Sequence, residues 1–183
     1  MRLFHDSLSL VVVGSPATGS GVCQVEEITL QHRGMLAQAL EQARAGLSEG
    51  GIPIGAVLVS GDGGVIGEGR NRRIQRESVI LHAEMDALEN AGRRAAKEYA
   101  RCTMYTTLSP CVMCSGAILL YGVKQVVVGE NDSFLGAEDL LRSRGVLVEV
   151  IDDRACRDIM RSFIAAQPHL WAEDIGEAVS PSA

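Results

Sequence analysis

The sequence lacks any apolar run that approaches the ~20 residues a membrane-spanning helix requires. The stretch LSLVVVGSPA near the start has the composition of the apolar part of a signal peptide. Its apolar core is short, however, and only Arg2 supplies positive charge before it. We therefore predict neither a membrane protein nor a secreted one, and we expect a cytoplasmic location.

Cysteine is scarce and odd in number, since the chain holds five, at positions 23, 102, 111, 114 and 156. This count does not suit a disulfide framework, and a reducing compartment explains it more simply. Only Cys111 and Cys114 have the spacing of metal ligands. We expect the other three to be small buried hydrophobic residues.

Positive charge is in deficit, because 17 Lys and Arg stand against 23 Asp and Glu, which gives a net charge of −6. The overall field of the protein therefore does not attract nucleic acid. Four arginines in GRNRRIQR, residues 69–76, could still form a local basic patch. We expect a small neutral or cationic substrate, and we predict no nucleic-acid or membrane partner.

The chain of 183 residues is long enough for one core and too short for two. Residues 1–29 contain the small, flexible stretch GSPATGSG, and we predict a flexible arm there without an assigned function. Residues 30–183 are predicted to form a single domain.

Apolar periodicity predicts the secondary structure of that domain. Helical patterns cover residues 35–47, 82–92, 111–122 and 152–167, and strand patterns cover 54–59, 65–71, 102–108, 124–129 and 145–150. A hairpin followed by alternating helices and strands predicts one mixed sheet with helices on both faces, in the α/β class.

Two cysteines lie three positions apart in the stretch TTLSPCVMCSGAIL. Ser109 suits a helix N-cap and Pro110 suits the first helical position, so Cys111 and Cys114 would share one face of the first turns. The partial positive charge of a helix N-terminus favours the thiolate, which is the form that binds zinc. Because redox pairs use the same spacing, these residues alone leave metal binding and redox chemistry equally open.

The upstream stretch VILHAEMDAL favours the metal. If two helices begin at the same edge of the sheet, His82 can join Cys111 and Cys114 as a third ligand. Three protein ligands leave the fourth tetrahedral position for water, which is the pattern of a catalytic zinc site. Glu84 follows His82 by two residues, and a carboxylate there can accept a proton from water and return it to a leaving group.

A histidine, a glutamate two residues later and a downstream Pro-Cys-x-x-Cys together resemble the signature of the zinc-dependent cytidine deaminase superfamily. Five longer stretches more narrowly resemble the fungal-type cytosine deaminases. They are GIPIGAVL, LHAEMDALENAGR, MYTTLSPCVMCSGAILLYGV, VVGENDSF and WAEDIGE. This similarity extends from about Met35 to Glu177. The resemblance implies a three-layer α/β/α sandwich around a central mixed five-stranded sheet, one Zn²⁺ per subunit and a homodimer.

The same resemblance implies roles for individual residues. It makes His82, Cys111 and Cys114 the zinc ligands and Glu84 the proton shuttle. The resemblance implies that the Asn71 amide and the Ala83 N–H contact the pyrimidine edge. The Ser109 carbonyl and the Asp174 carboxylate would contact the exocyclic amine. Phe134, Ile54 and Trp171 would contact the ring. Trp171 and Asp174 belong to an implied C-terminal lid at about 168–177. The family usually has glycine at position 83 and an aromatic residue at position 172, where this chain has alanine.

We therefore expect zinc-dependent hydrolytic deamination of free cytosine to uracil and ammonia, as in pyrimidine salvage. The enzyme should also accept 5-fluorocytosine, because fluorine is small, and a closed lid should leave little room for ribose. Two alternatives keep the zinc chemistry and change the substrate, to guanine or another amino-heterocycle, or to adenosine in tRNA. A non-catalytic zinc-binding module is a third alternative, which the proton shuttle argues against.

Overall fold

The computed structural model describes the backbone of residues 20–177 and the side chains of residues 30–177. Its elements in chain order are α1 (Ser20–Ser48), β1 (Gly55–Val59), β2 (Val65–Arg70), α2 (Arg73–Arg76), α3 (Ala83–Ala91), α4 (Ala96–Tyr99), β3 (Thr103–Leu108), α5 (Val112–Tyr121), β4 (Gln125–Glu130), α6 (Glu138–Ser143), β5 (Leu147–Val150), α7 (Arg154–Ala166) and α8 (Pro168–Asp174). No helix in this part of the chain is both long and apolar enough to cross a bilayer.

The strands form one five-stranded sheet in the order β2-β1-β3-β4-β5. β1 is antiparallel to both β2 and β3, whereas β3, β4 and β5 run parallel to one another. The parallel pairs are joined by crossovers that contain α5 and α6. The predicted mixed sheet, with a hairpin at one edge, is therefore confirmed.

Alternate residues of the central strands enter two different apolar layers, because successive side chains in a strand point to opposite faces. Ala56, Leu58, Met104, Val126 and Val128 pack in the core that includes residues of α3 and α5. Val57, Val59, Tyr105 and Val127 pack with Ala39 of α1 on the other face. α7 joins α1 through Cys156. The predicted three-layer α/β/α sandwich is thus confirmed.

Two glycines of β2 bring α3 unusually close to the sheet. A Cβ atom at Gly69 would lie 2.2 Å from the backbone nitrogen of Ala87, and one at Gly67 would lie 2.2 Å from the carbonyl oxygen of Ala87. No side chain can occupy either position unless the helix moves. The glycines therefore set the height above the sheet of the helix that follows His82.

The structure differs from the predicted elements at several boundaries. α1 begins at Ser20, earlier than the predicted start, while residues 1–19 of the proposed arm lie outside the described residues. The short helices α2, α4, α6 and α8 were not predicted, because one or two turns carry too little periodicity to recognise. Pro168 ends α7, as expected, but it also occupies the first turn of α8.

Candidate active site

The N-termini of α3 and α5 meet on one side of the sheet, and each begins with a predicted metal ligand. His82 is the N-cap of α3 and Cys111 is the N-cap of α5, both with extended backbone. The prediction that Ser109 caps α5 is wrong. The hydroxyl of Ser109 instead donates a hydrogen bond to Glu138, so it is not available to the helix.

His82, Cys111 and Cys114 converge, with one potential ligand atom from each and all of these atoms within 4.8 Å of one another. The Cys111 Sγ atom lies 3.6 Å from His82 Nδ1. Both cysteines are free thiols. Because Zn–S and Zn–N bonds are ~2.3 and ~2.0 Å long, ligand atoms at these separations can share one ion. One imidazole and two sulfurs form a donor set suited to zinc, so the residues present fit that metal.

The two cysteines do not titrate alike. A hydrogen bond from Cys114, aided by another from His82, lowers the pKa of Cys111 to about 4 in spite of its burial. The same contact with Cys111, together with burial, raises the pKa of Cys114. The pair therefore holds a thiolate at neutral pH before any metal binds, and thiolate is the ligand form of cysteine.

Glu84 lies at the start of α3, buried beside the three potential ligands. Burial raises the pKa of its carboxyl, and the charge of His82 and a hydrogen bond from Thr106 oppose the rise. Thr106 Oγ1 donates this bond to Glu84 Oε1 over 2.8 Å, which fixes the rotamer of the carboxyl group. A raised pKa makes a carboxylate a stronger proton acceptor, which suits a general acid–base catalyst.

A cavity of about 320 Å³ opens beside these residues. Its walls combine apolar side chains with a few polar groups, which is typical of small-molecule sites. The predicted residues that line it are Ile54, His82, Glu84, Ser109, Cys111, Phe134, Trp171 and Asp174, and further lining residues include Arg73, Leu108 and Met113. Phe134 and Trp171 meet edge to face, with ring centroids 6.2 Å apart.

Asp174 lines this cavity and contacts Asn71, which is fully buried behind it and is not among the lining residues. Asn71 Nδ2 donates to both carboxylate oxygens of Asp174, at 3.2 and 3.1 Å. The Asn71 carbonyl oxygen accepts from the backbone N–H of Arg73 over 3.1 Å, which fixes the orientation of the amide. The structure thus brings together two predicted substrate contacts that are 103 residues apart in sequence.

Ala83 is the first residue of α3, so its backbone N–H is one of those without a partner inside the helix. Its methyl group is fully buried in the core cluster rather than in the cavity wall. The departure from the glycine usual at this position therefore adds no side chain to the cavity wall.

Arg73 was missed as a site residue, because the sequence suggested only a basic patch. Its guanidinium donates to Asp174 Oδ1 and to Glu173 Oε1, each over 2.7 Å. It therefore ties the beginning of α2 to the end of α8, the segment predicted as a lid. The sequence holds no signal for this pairing, because the burial of Asp174 is seen only in the structure.

Comparison with known proteins agrees with this geometry. Residues 29–130 match the family model described as the cytidine and deoxycytidylate deaminase zinc-binding region. A cytosine deaminase of Candida albicans is 56% identical over 150 residues, which cover 82% of this chain and 100% of that protein. A tRNA-specific adenosine deaminase of Streptococcus pyogenes is 41% identical over 105 residues, covering 56% of this chain and 65% of that protein.

Two solved structures illustrate the shared fold. One, from work on A-to-I editing by tRNA:A34 deaminases, superimposes with a TM-score of 0.59 at 27% identity and covers 69% of this chain and 99% of that one. A guanine deaminase from Nitrosomonas europaea superimposes with a TM-score of 0.60 at 23% identity, covering 88% of this chain and 100% of that one. The second likeness concerns the fold alone.

Proposed function

Because the chain belongs to the cytidine and deoxycytidylate deaminase family, whose zinc-binding region it contains, we propose that it hydrolyses free cytosine to uracil and ammonia. The observation that carries this proposal is the small cavity beside the three potential ligands, with Trp171 and Asp174 of α8 in its wall. Its volume of about 320 Å³ lies at the small end of the range for small-molecule sites and accommodates a free base. The similarity to the whole length of a cytosine deaminase supports the same substrate.

In this proposal His82, Cys111 and Cys114 hold Zn²⁺, which as a Lewis acid would lower the pKa of water towards ~7 and so supply the nucleophile. Glu84 takes up the proton that water loses and delivers it to N3 of the base as oxygen adds at C4. Glu84 then carries the second proton to the departing amine. Water and cytosine thereby become uracil and ammonia, with Glu84 returned to its starting state.

Substrate recognition in this proposal follows the donors and acceptors of the base. The Ser109 carbonyl and the Asp174 carboxylate accept from the exocyclic amine, while the Asn71 amide and the Ala83 N–H meet the opposite edge. Phe134 stacks on the ring, and Ile54 and Trp171 pack against it. Uracil has a carbonyl where cytosine has the amine, so the same acceptors disfavour the product.

A tRNA substrate is disfavoured by the ion pairs of the arginine-rich stretch. Arg70 pairs with Glu49, Arg72 with Asp86, and Arg73 with Glu173 and Asp174. Guanidinium groups held by acids contribute little to an electrostatic surface for phosphates. The patch that the sequence allowed is therefore largely neutralised.

The test is ammonia release from a panel of cytosine, 5-fluorocytosine, cytidine, guanine and an adenosine-containing tRNA. We expect release from the first two compounds and none above background from the others. Comparable rates with cytidine would contradict the proposal that α8 closes over the base and leaves little room for ribose. Release from guanine or tRNA but not from cytosine would replace the proposed substrate, and no release from any compound would favour the non-catalytic module.

We further propose that the enzyme is a cytoplasmic homodimer that acts in pyrimidine salvage. Its exposed apolar residues include Val112, Leu120 and Tyr121 of α5 and Leu135, and exposed apolar side chains suit burial against a second copy. Free Cys102, Cys111, Cys114 and Cys156 are consistent with a reducing compartment. Light scattering during size-exclusion chromatography would give twice the monomer mass, whereas a monomer at micromolar concentration would refute the dimer.

A further inference from the structure

Glu138 is a buried acid just outside the cavity, only 2% exposed. It accepts hydrogen bonds from Ser109 Oγ over 2.8 Å and from Asn131 Nδ2 over 3.1 Å, both at Oε1. Arg142, one turn later on α6, donates to Oε2 over 2.9 Å. Arg142 therefore neutralises the carboxylate, which also accepts hydrogen bonds from Ser109 and Asn131. Burying a charged group is costly, and packing alone does not explain a glutamate at this position.

The contact with Glu138 determines which part of Ser109 faces the cavity. The hydroxyl donates to Glu138 and also accepts from the backbone N–H of Gly136 over 3.0 Å. The Ser109 N–H donates to the Glu130 carbonyl over 3.0 Å. Within residues 30–177 no donor reaches the Ser109 carbonyl oxygen, so it is the group of this residue left for a ligand.

The same network fixes the loop that carries Phe134. Gly136 contacts the Ser109 hydroxyl, the Ala137 N–H donates to the Pro110 carbonyl over 2.8 Å, and the Asn131 amide donates to Glu138. A Cβ atom at Gly136 would lie 2.1 Å from the Pro110 oxygen, so the two segments are in close backbone contact. One carboxylate thus joins the segment before Cys111 to the loop that supplies an aromatic wall of the cavity.

We propose that Glu138 is a positioning residue that holds the Ser109 carbonyl in place to recognise the exocyclic amine of the substrate; this inference rests on the proposed function. Glu138 is not among the residues that line the cavity, and its hydrogen bonds go to Ser109, Asn131 and Arg142 rather than to the three potential zinc ligands. Its loss leaves a buried donor on Ser109 and a partly buried donor on Asn131 without an acceptor, and such groups rotate towards water or other partners. The carbonyl then loses its fixed direction, so recognition of the amine weakens more than contact with the ring.

The test compares two ligands that differ only in the amine, cytosine and pyrimidin-2-one. The single tryptophan of the chain, Trp171, lines the cavity, so its fluorescence reports binding without turnover. Titrations use zinc-loaded protein in a Glu84→Gln background, which keeps cytosine intact. Glu138→Leu should weaken cytosine binding about tenfold, the scale of one lost hydrogen bond, and should change pyrimidin-2-one binding by less than about threefold.

Two further variants make the comparison specific. Glu138→Gln keeps an oxygen that can accept from Ser109 and Asn131, so it should restore cytosine binding to within about threefold of the parent. Asp139→Leu removes the neighbouring, fully exposed acid of α6 and should leave both ligands unaffected. Zinc content should equal that of the parent in all variants.

Equal weakening of both ligands in Glu138→Leu, or no weakening of either, would overturn the positioning role. If Glu138→Leu does not fold, Ser109→Ala removes the other end of the contact while keeping the carbonyl, and it must weaken cytosine selectively in the same assay. Ammonia release by the unsubstituted enzyme separates the two proposals. If that enzyme does not deaminate cytosine, the proposed function fails, whereas normal activity with an unchanged ligand ratio rejects only the role of Glu138.

Discussion

Arg73 ties down α8, the segment predicted to act as a lid, and its replacement by methionine tests whether this contact matters for substrate binding. The guanidinium spans the acids of α8, with bonds of 2.7 Å to Asp174 Oδ1 and 2.7 Å to Glu173 Oε1. The Asp174 side chain is 2% exposed, whereas the Glu173 side chain is 59% exposed. Methionine keeps much of the apolar stem of Arg73 and removes both bonds.

The size of the effect follows from those exposures. A charge-assisted hydrogen bond to a buried acid contributes ~1.5–3 kcal/mol, whereas the exposed pair with Glu173 adds ~0–1 kcal/mol. Asp174 keeps its hydrogen bonds from Asn71 in the variant. We therefore expect the contacts of Arg73 with Asp174 and Glu173 to contribute about 2–3 kcal/mol together. The loss makes closure of the lid less favourable, and at ~1.4 kcal/mol per decade KM should rise roughly 30- to 150-fold. The turnover number should change much less, since Arg73 contacts neither Glu84 nor any of the three potential zinc ligands.

The assay is the loss of cytosine absorbance at several substrate concentrations, which separates KM from the turnover number. Arg70→Met is the matched control, because Arg70 pairs with Glu49 and does not contact the lid. We expect this control to keep KM within about twofold of the parent. Arg73→Lys keeps the charge without the fork of donors and should fall between parent and Arg73→Met. A KM for Arg73→Met within about threefold of the parent would refute the role of Arg73 in holding α8 in place.

The remaining predictions concern the reacting centre and the fold. Glu84→Gln should abolish ammonia release while leaving zinc content unchanged, because the amide keeps the shape but cannot carry a proton. Cys114→Ala should lose zinc and lower the melting temperature, since binding of the metal is coupled to folding. Gly69→Ala should cost ~1–3 kcal/mol or more in free energy of unfolding, because its methyl group would meet the α3 backbone. Asp153→Ala should cost ~1 kcal/mol, because the Asp153 carboxylate accepts from two N–H groups at the start of α7.

Each of these has a contrary outcome that is easy to observe. Residual deamination in Glu84→Gln near the parent rate would remove the shuttle role. A chelator should destabilise the parent but not Cys114→Ala, and equal effects on both would argue against Cys114 as a ligand. Denaturant melts of Gly69→Ala and Asp153→Ala that match the parent would contradict the packing and capping arguments respectively.

The metal centre could be predicted from the sequence because its cues are local. Each short motif indicates both the start of a helix and a metal ligand. The only long-range requirement is that the two helices begin on the same side of one sheet. The alternation of apolar residues indicated that sheet, and the structure confirms it. The assignment of Ser109 as a cap failed because a distant acid, Glu138, competes for the same hydroxyl.

Arg73 and Glu138 could not be recognised because their partners are remote in sequence. The lid acids lie 100 and 101 residues from Arg73, and Ser109 lies 29 residues from Glu138. No periodicity links such pairs, and an arginine or a glutamate in a polar stretch is ordinarily solvated. Only the packing of α8 and α6 against the sheet reveals which charges are buried and therefore must be paired.

The Asn71 amide and the Asp174 carboxylate satisfy each other, so a base that binds them as proposed would compete with a bond that the protein already makes. A heterocycle without matching donors and acceptors would break the bond between Asn71 and Asp174 and would offer neither residue a new hydrogen-bond partner. In the proposed site, selectivity would therefore depend on rejecting mismatched heterocycles as well as on attracting the correct one. Retargeting the pocket to another heterocycle should consequently require exchanging both residues together, because exchanging Asp174 alone would leave the Asn71 amide without its acceptor.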